Sequence, residues 1–296
     1  MKILVTGSNG YLGSSFINQY NDKYNFEIFS LLTQKLEDIN FDKIDVILHC
    51  AALVHQKIEH SYKKYHDINV DYPLKLAKLA KQNGVKQFVF ISTIAVYGEE
   101  NESLDENTIC NPITPYGKSK LEAEKGLLKL NDDNFTVSII RPPMIYGKNA
   151  PGNIDSLVKL VKKLPIIPLG KIANKRSFIS IQNLCFIINE IITQEKQGIF
   201  LASDDEPIST SRLIELMAKN LDLVKRSGCG TITLCDKKVY LVKIPFFESL
   251  LKILKPSFHK RLYGSLEVDN SITKEKLNIK NPYSVEDGIK LMINGE

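Results

Sequence analysis

Two hydrophobic rhythms alternate along the first two hundred residues. Short apolar runs predict buried strands: "KILVTG" (2–7), "FEIFSLL" (26–32), "DVILHCAA" (45–52), "QFVFIST" (87–93), "FTVSIIRP" (135–142) and "GIFLAS" (198–203). Between them, "GYLGSSFINQY", "DYPLKLAKLAKQNG" and "SKLEAEKGLLKL" carry apolar residues at helical spacing. Strand and helix in alternation predict an α/β fold, a doubly wound parallel sheet covered on both faces. The rhythm changes after "RPPMIYG" (141–147): the Pro- and Gly-bearing "KNAPGN" leads to a helix and then "LPIIPLG". Residues beyond about 204 alternate less clearly and read as a smaller C-terminal lobe set on the strand ends. Within it, "VYLVKIPFFESLLKILKP" (239–256) is apolar with interspersed lysines. That pattern suits a lobe core or a subunit contact, with a membrane-surface or partner helix as the other reading.

The glycines add chemistry to this frame. "VTGSNGYLG" places Gly7, Gly10 and Gly13 between the first strand and the first helix. Gly7 permits the tight turn, Gly10 lets backbone approach a pyrophosphate, and Gly13 lets helix and sheet pack closely. The free N–H groups of the helix start, at Tyr11 and Leu12, then face the anion. The Rossmann-type reading assigns residues 1–147 and 176–203 to a dinucleotide-binding domain, and 148–175 and 204–296 to a substrate-binding lobe. An acid about 20 residues on usually holds the adenine ribose. Here "SLLTQK" (30–35) has none; Glu27 lies inside the strand and Glu37 beyond it. Thr33, Gln34 and Lys35 suit a 2′-phosphate, which leans the cofactor, NAD or NADP, towards NADP.

"TPYGKSK" (114–120) predicts a helix start, with Thr114 as N-cap and Pro115 in the first turn. Tyr116 and Lys120 then share one helical face. A phenol that ionises near 10 needs about 4 kcal/mol of help to be half ionised near neutrality. A lysine in a partly dry cleft, joined by a positive nicotinamide ring, supplies it. "FISTIAVYG" (90–98) ends a strand on Ser92 and Thr93, where a hydroxyl faces the same cleft.

With "TGSNGYLG", "HCAA", "ISTIAVYG", "PYGKSKLEAE", "RPPMIYG", "NKRSFISIQNL" and "RLYGSLEVDNS", the chain resembles an extended short-chain dehydrogenase/reductase over nearly its whole length. The likeness is to the NAD-dependent epimerase/dehydratase group that acts on nucleotide sugars. It implies Tyr116 as acid/base, Lys120 tuning it and holding the nicotinamide ribose, and Thr93 bonding the reacting oxygen. It further implies Ala51 and Ala52 bordering the cofactor, and Asn69 in the central helix. Arg176 and Arg261 match arginines that clasp a nucleotide diphosphate, and Asn149 or Asn153 matches a phosphate-side asparagine. Dehydratases of the group place Asp-Glu after the threonine; here Ile94 and Ala95 move no proton. A 4-epimerase is therefore expected, working through a 4-keto intermediate, with a 4-ketoreductase as the alternative. The short stretch between "FEIFSLL" and "DVILHCAA" leaves little room for a third strand and its helix, which resembles dTDP-4-dehydrorhamnose reductases. A non-catalytic dinucleotide-binding regulator is the remaining class, disfavoured because Thr93, Tyr116 and Lys120 are all present. The resemblance also implies a UDP-sugar substrate and a homodimer formed through helices within 71–83 and 115–130.

Composition narrows the rest. Of 296 residues, 43% are hydrophobic and 25% charged, ordinary for a soluble globular chain. A net charge of +5, with lysines dispersed, argues against nucleic acid and suits an anionic small molecule. Five cysteines without a Cys-x-x-Cys pair argue against a disulfide framework or a zinc site. The chain opens on "MKILVTG" without a leader and has no apolar run of membrane-spanning length, so no membrane span and a cytoplasmic setting are expected. His49 reads as a core histidine and His55 as a candidate for the sugar pocket. His60 and His66 lack carboxylates at metal spacing, so no metal is expected.

Overall fold

The structure, a computed structural model, describes residues 1–31, 33–54, 61–221 and 240–295. Leu32 at the end of the second predicted strand, His55, His60, Cys229, Cys235 and position 239 lie outside the described residues.

All six predicted strands form, and they make one parallel sheet. From edge to edge the order is Gly198–Leu201, Thr136–Arg141, Gln87–Ile91, Val46–His49, Lys2–Thr6, Asn25–Phe29. Each strand is shorter than its apolar run, because the last residues of each run leave the sheet to form the loops above it. Between Phe29 and Val46 the described residues hold only the 3₁₀ turn Leu36–Asp38, so the sheet ends at Asn25–Phe29 as the short linker predicted.

Successive side chains of a strand point to opposite faces. Ile3 and Val5, Val46 and Leu48, Val89 and Ile140 enter one core, covered by helices Tyr11–Tyr20 and Ile181–Thr193. Leu4, Ile47, Phe88, Phe90 and Ile139 enter the other, covered by helices Tyr72–Gln82 and Pro115–Leu128. Double burial of this kind requires the continuous apolar runs seen in the sequence.

A separate core joins Tyr146, Ile154, Val161, Phe178, Leu213, Met217 and Ile289 beyond the strand ends. It is tied to the sheet by Asp204, which accepts from Tyr146 Oη and Asn183 Nδ2, both at 2.7 Å. The 239–256 segment does not form a buried lobe helix. Its described part gives one short helix, Phe247–Leu254, and at Lys255 passes into a second, Pro256–Tyr263; neither has a buried residue, though Phe247, Leu262 and Tyr263 pack against the lobe core.

Candidate active site

The glycine loop runs from the end of strand Lys2–Thr6 into helix Tyr11–Tyr20. Gly7 holds φ +72°, and a Cβ there would lie 2.6 Å from Ala51 N. A Cβ on Gly13 would sit 2.4 Å from Gly7 O. Both contacts are too close for any side chain, so loop, helix and the Cys50–Ala52 strand end are packed backbone to backbone. Gly10 is the N-cap and offers no side-chain acceptor, and the first turn carries no acid. The helix start therefore keeps its N–H groups for an anion. This cradle fits the diphosphate of a dinucleotide, with Gly7, Gly10, Tyr11, Leu12, Gly13, Ala51 and Ala52 around it. Near the adenine end, Glu27 is taken by Lys2 within the strand. Gln34 Oε1 accepts from Ser30 N at 2.9 Å and Asp38 Oδ2 from Lys35 N at 3.1 Å, so both residues organise the loop after the strand.

The catalytic helix, Pro115–Leu128, begins as its sequence predicts, with Thr114 Oγ1 accepting from Gly117 N at 3.0 Å. Thr93 caps the 3₁₀ turn Ile94–Tyr97. Its hydroxyl lies beside the Tyr116 phenol. Burial pushes that phenol up to about 12, and the Thr93 hydrogen bond pulls it the other way. Lys120 behaves differently from the expectation. Its Nζ sits 3.7 Å from the centre of the Phe90 ring, under the strand ends, with the residue 1% exposed. Burial pulls it down to about 7, while Glu124 and Cys50 raise it. Its charge is felt by His49 and Cys50, and it is not among the groups acting on Tyr116. The pair shares a helix face, yet the lysine is directed into the sheet rather than along the helix to the phenol.

Three features around this pair were not assigned a role from the sequence. The first is the setting of Asn69, which sits in a π-helical turn, Asp67–Asp71, between helices Tyr62–His66 and Tyr72–Gln82. Its Oδ1 accepts from Leu53 N at 2.8 Å, and its Nδ2 donates to Leu53 O and Ser119 Oγ, both at 3.0 Å. Ser119 Oγ in turn donates to Tyr116 O at 2.8 Å. Asn69 thus fixes the "HCAAL" loop to the catalytic helix, and π turns of this kind cluster at functional sites. The second is a buried polar group beneath Lys120. Arg141 donates to Glu124 through Nε (3.1 Å) and Nη2 (2.5 Å), and to Tyr97 Oη at 2.8 Å; Ser92 also donates to Glu124. Ser92 therefore braces the helix, and Thr93 is left to face the cleft. The third is Cys50, whose thiol burial pushes up to about 12.

His49 is the core histidine expected: its Nδ1 lies 2.8 Å from Thr6 Oγ1, and burial lowers it to about 3. For His66 the expectation fails. The π turn brings Asp71 to 3.4 Å from Nδ1, and Glu122 of the neighbouring helix lies 3.2 Å from Nε2. His66, Asp67 and Asp71 thus form a cluster, Asp67 exposed and the other two half-buried, that linear helical spacing does not show.

In the second lobe, Arg176 and Arg261 line one cavity of about 470 Å³ together with Asn153. Among the described residues neither arginine has a carboxylate partner. Burial, then the nearby Arg261 charge, holds the Arg176 guanidinium below its usual value. Two facing cations without counter-charge make an anion site. Asn149 does not join them. It adopts φ +60° in the preceding turn and lines a different hollow with Lys148 and Lys162.

An α/β fold with a glycine cradle, a Thr–Tyr–Lys group at the strand ends and an arginine pair opposite defines a dinucleotide-dependent enzyme class. The sequence pattern of the NAD dependent epimerase/dehydratase family matches residues 3–201, and the chain belongs to that family. A UDP-glucose 4-epimerase of Vibrio cholerae is 32% identical over 324 aligned positions, covering 97% of this chain and 93% of that protein. An N-acetyl-alpha-D-glucosaminyl-diphospho-ditrans,octacis-undecaprenol 4-epimerase of Escherichia coli O157:H7 is 25% identical over 241 positions, covering 74% of this chain and 72% of that protein. The crystal structure of UDP-glucuronic acid 4-epimerase from Bacillus cereus in complex with NAD shares the fold. Its TM-score is 0.73 at 18% identity, covering 99% of this chain and 98% of that one. As a member of that family, the protein is an NAD-dependent enzyme. Among the described residues no helix is long and apolar enough to cross a membrane.

Proposed function

We propose that the protein is a nucleotide-sugar 4-epimerase. The observation that carries this reading is the convergence of Thr93 and Tyr116 beside the dinucleotide cradle, with Arg176 and Arg261 forming an anion site in the second lobe. Tyr116 takes the proton of the sugar C4 hydroxyl, and Thr93 hydrogen-bonds the same oxygen as charge develops on it. Lys120 lies on the phenol's helix, buried against Phe90, and would reach the nicotinamide ribose on turning from that ring, while Asn69 and Ser119 fix the helix. A bound oxidised nicotinamide supplies the hydride acceptor and a positive charge that lowers the phenol's proton affinity. Arg176, Arg261 and Asn153 hold the diphosphate, with UDP the nucleotide favoured by the 32% identical relative. Residues 1–147 and 176–203 serve the cofactor and 148–175 and 204–296 the substrate, with Arg176, at the boundary, turned to the substrate cavity. The protein works as a cytoplasmic homodimer joined through helices Tyr72–Gln82 and Pro115–Leu128.

The sheet without a third strand beyond Asn25–Phe29 favours a second reading, a 4-ketoreductase that exchanges NADPH. Purified protein separates the two. Epimerase predicts stoichiometric NAD released on denaturation, and interconversion of UDP-glucose and UDP-galactose with no added cofactor. Cofactor-free protein that oxidises NADPH only with a 4-keto sugar would replace it by reductase. Neither activity would reduce the protein to a dinucleotide-binding regulator.

A further inference from the structure

The helices Phe247–Leu254 and Pro256–Tyr263 are held to the second lobe by one side only. Phe247, Leu262 and Tyr263 pack on its core. On the other side, apolar residues face water. Between positions 244 and 258, Ile244, Phe246, Leu250, Ile253, Leu254 and Phe258 are each about half exposed or more, led by Phe246 at 86%, Ile253 at 78% and Leu254 at 68%. At about 3.6 residues per turn, Leu250, Ile253 and Leu254 fall on one stripe, with Ser249 and Lys252 on its polar flank. An apolar patch of this kind on a folded surface marks an interaction site.

The charges around the patch have one sign. Residues 240–263 hold five Lys or Arg and one acid, Glu248. Glu248 lies 3.4 Å from His259 Nε2, and Lys260 pairs with Glu99. Lys243, Lys252 and Lys255 are exposed, and among the described residues none of them pairs with an acid. A second copy of this chain fits such a face poorly. A two-fold contact sets the same surface against itself. The lysines of one copy would then meet those of the other, with no free acid in the segment to balance them. An anionic lipid surface matches both features: the acyl boundary takes the apolar residues and the headgroups take the ammonium groups.

We propose that the protein docks on anionic membranes through this face. Phe246, Leu250, Ile253 and Leu254 enter the acyl boundary, and Lys243, Lys252 and Lys255 meet the headgroups. Helix Phe247–Leu254 has eight residues, about 12 Å of length, so it lies in the plane of the interface and does not cross it. The contact is peripheral and reversible. Docking needs neither cofactor nor sugar, so it stands apart from the 4-epimerase reading.

The test sediments the full chain with two kinds of vesicle, phosphatidylcholine alone and equal parts phosphatidylcholine and phosphatidylglycerol. Binding to the mixed vesicles is expected, and it should be much weaker at about 1 M salt, where charges are screened within about 3 Å. Lys252→Gln/Lys255→Gln should weaken it roughly 25-fold, about five-fold for each lysine at the surface. Ile253→Asp/Leu254→Asp should abolish it. Both positions are exposed, so the unfolding midpoint of that variant should stay as in wild type. Equal binding to the two kinds of vesicle, or binding unchanged in both variants, overturns the proposal. Failure of the wild-type protein to sediment with the mixed vesicles also overturns it. If light scattering then shows a larger oligomer that Ile253→Asp/Leu254→Asp dissociates, the face belongs to a second copy instead.

Discussion

Tyr116→Phe is expected to lower turnover by roughly 10²- to 10⁴-fold, the usual contribution of a positioned proton donor and acceptor. Dinucleotide should still bind, because the glycine cradle and Lys120 are untouched and the aromatic ring keeps its place. The phenol is held up at about 12 by burial, and the Thr93 hydrogen bond is the one contribution that lowers it. Removing that bond in Thr93→Ala raises the phenol's proton affinity further. The rate requires the phenolate, so the alkaline rise of kcat/KM should move to higher pH in this variant. Turnover in Tyr116→Phe within a factor of two of wild type, at full cofactor occupancy, would remove the phenol from the chemistry.

Lys120→Met should produce an inactive but more stable protein. Burial lowers Lys120 from 10.5 to about 7, so its charged form is penalised in the fold. The penalty is complete below about 7, where the lysine is protonated in both states. It shrinks as pH rises, and is gone near 10.5, where both states are neutral. Each pH unit of separation corresponds to about 1.4 kcal/mol, and the Phe90 face returns about 1–2 kcal/mol to the cation. A net gain of about 2–4 kcal/mol at pH 6 is expected, a rise of roughly 5–10 °C in the unfolding midpoint of nucleotide-free protein. The gain should fade between pH 7 and pH 10. A variant less stable than wild type throughout that range would show that the lysine is not penalised where it lies. Function retains such a lysine at the expense of stability.

The parts of the site that were legible in the sequence are those set by local chain geometry. The glycine loop follows from its place between strand and helix, and the Thr114 cap and Tyr116–Lys120 face from helical periodicity. What stayed hidden depends on contacts between distant segments. Lys120 lies over Phe90 because the helix packs across the sheet, which no helical wheel shows. Glu124 and Arg141 meet from a helix and the next strand. The π turn at Asp67–Asp71 carries Asp71 to His66, against the expectation that this histidine has no carboxylate. One turn of chain between Asn149 and Asn153 decides which asparagine reaches the arginine cavity, and the left-handed backbone at Asn149 turns it elsewhere. The 239–256 segment shows why apolar content alone does not bury a helix. Its helix Phe247–Leu254 sets Phe247 against the lobe core but leaves Leu250, Ile253 and Leu254 exposed.

The central claim is that hydrogen moves at C4 as hydride, with Tyr116 handling only the hydroxyl proton. UDP-galactose bearing deuterium at C4 tests it directly. UDP-glucose that retains the deuterium at C4, formed with a primary isotope effect, is the predicted result. Deuterium released to water during conversion would mean that carbon loses a proton instead, and would contradict the account.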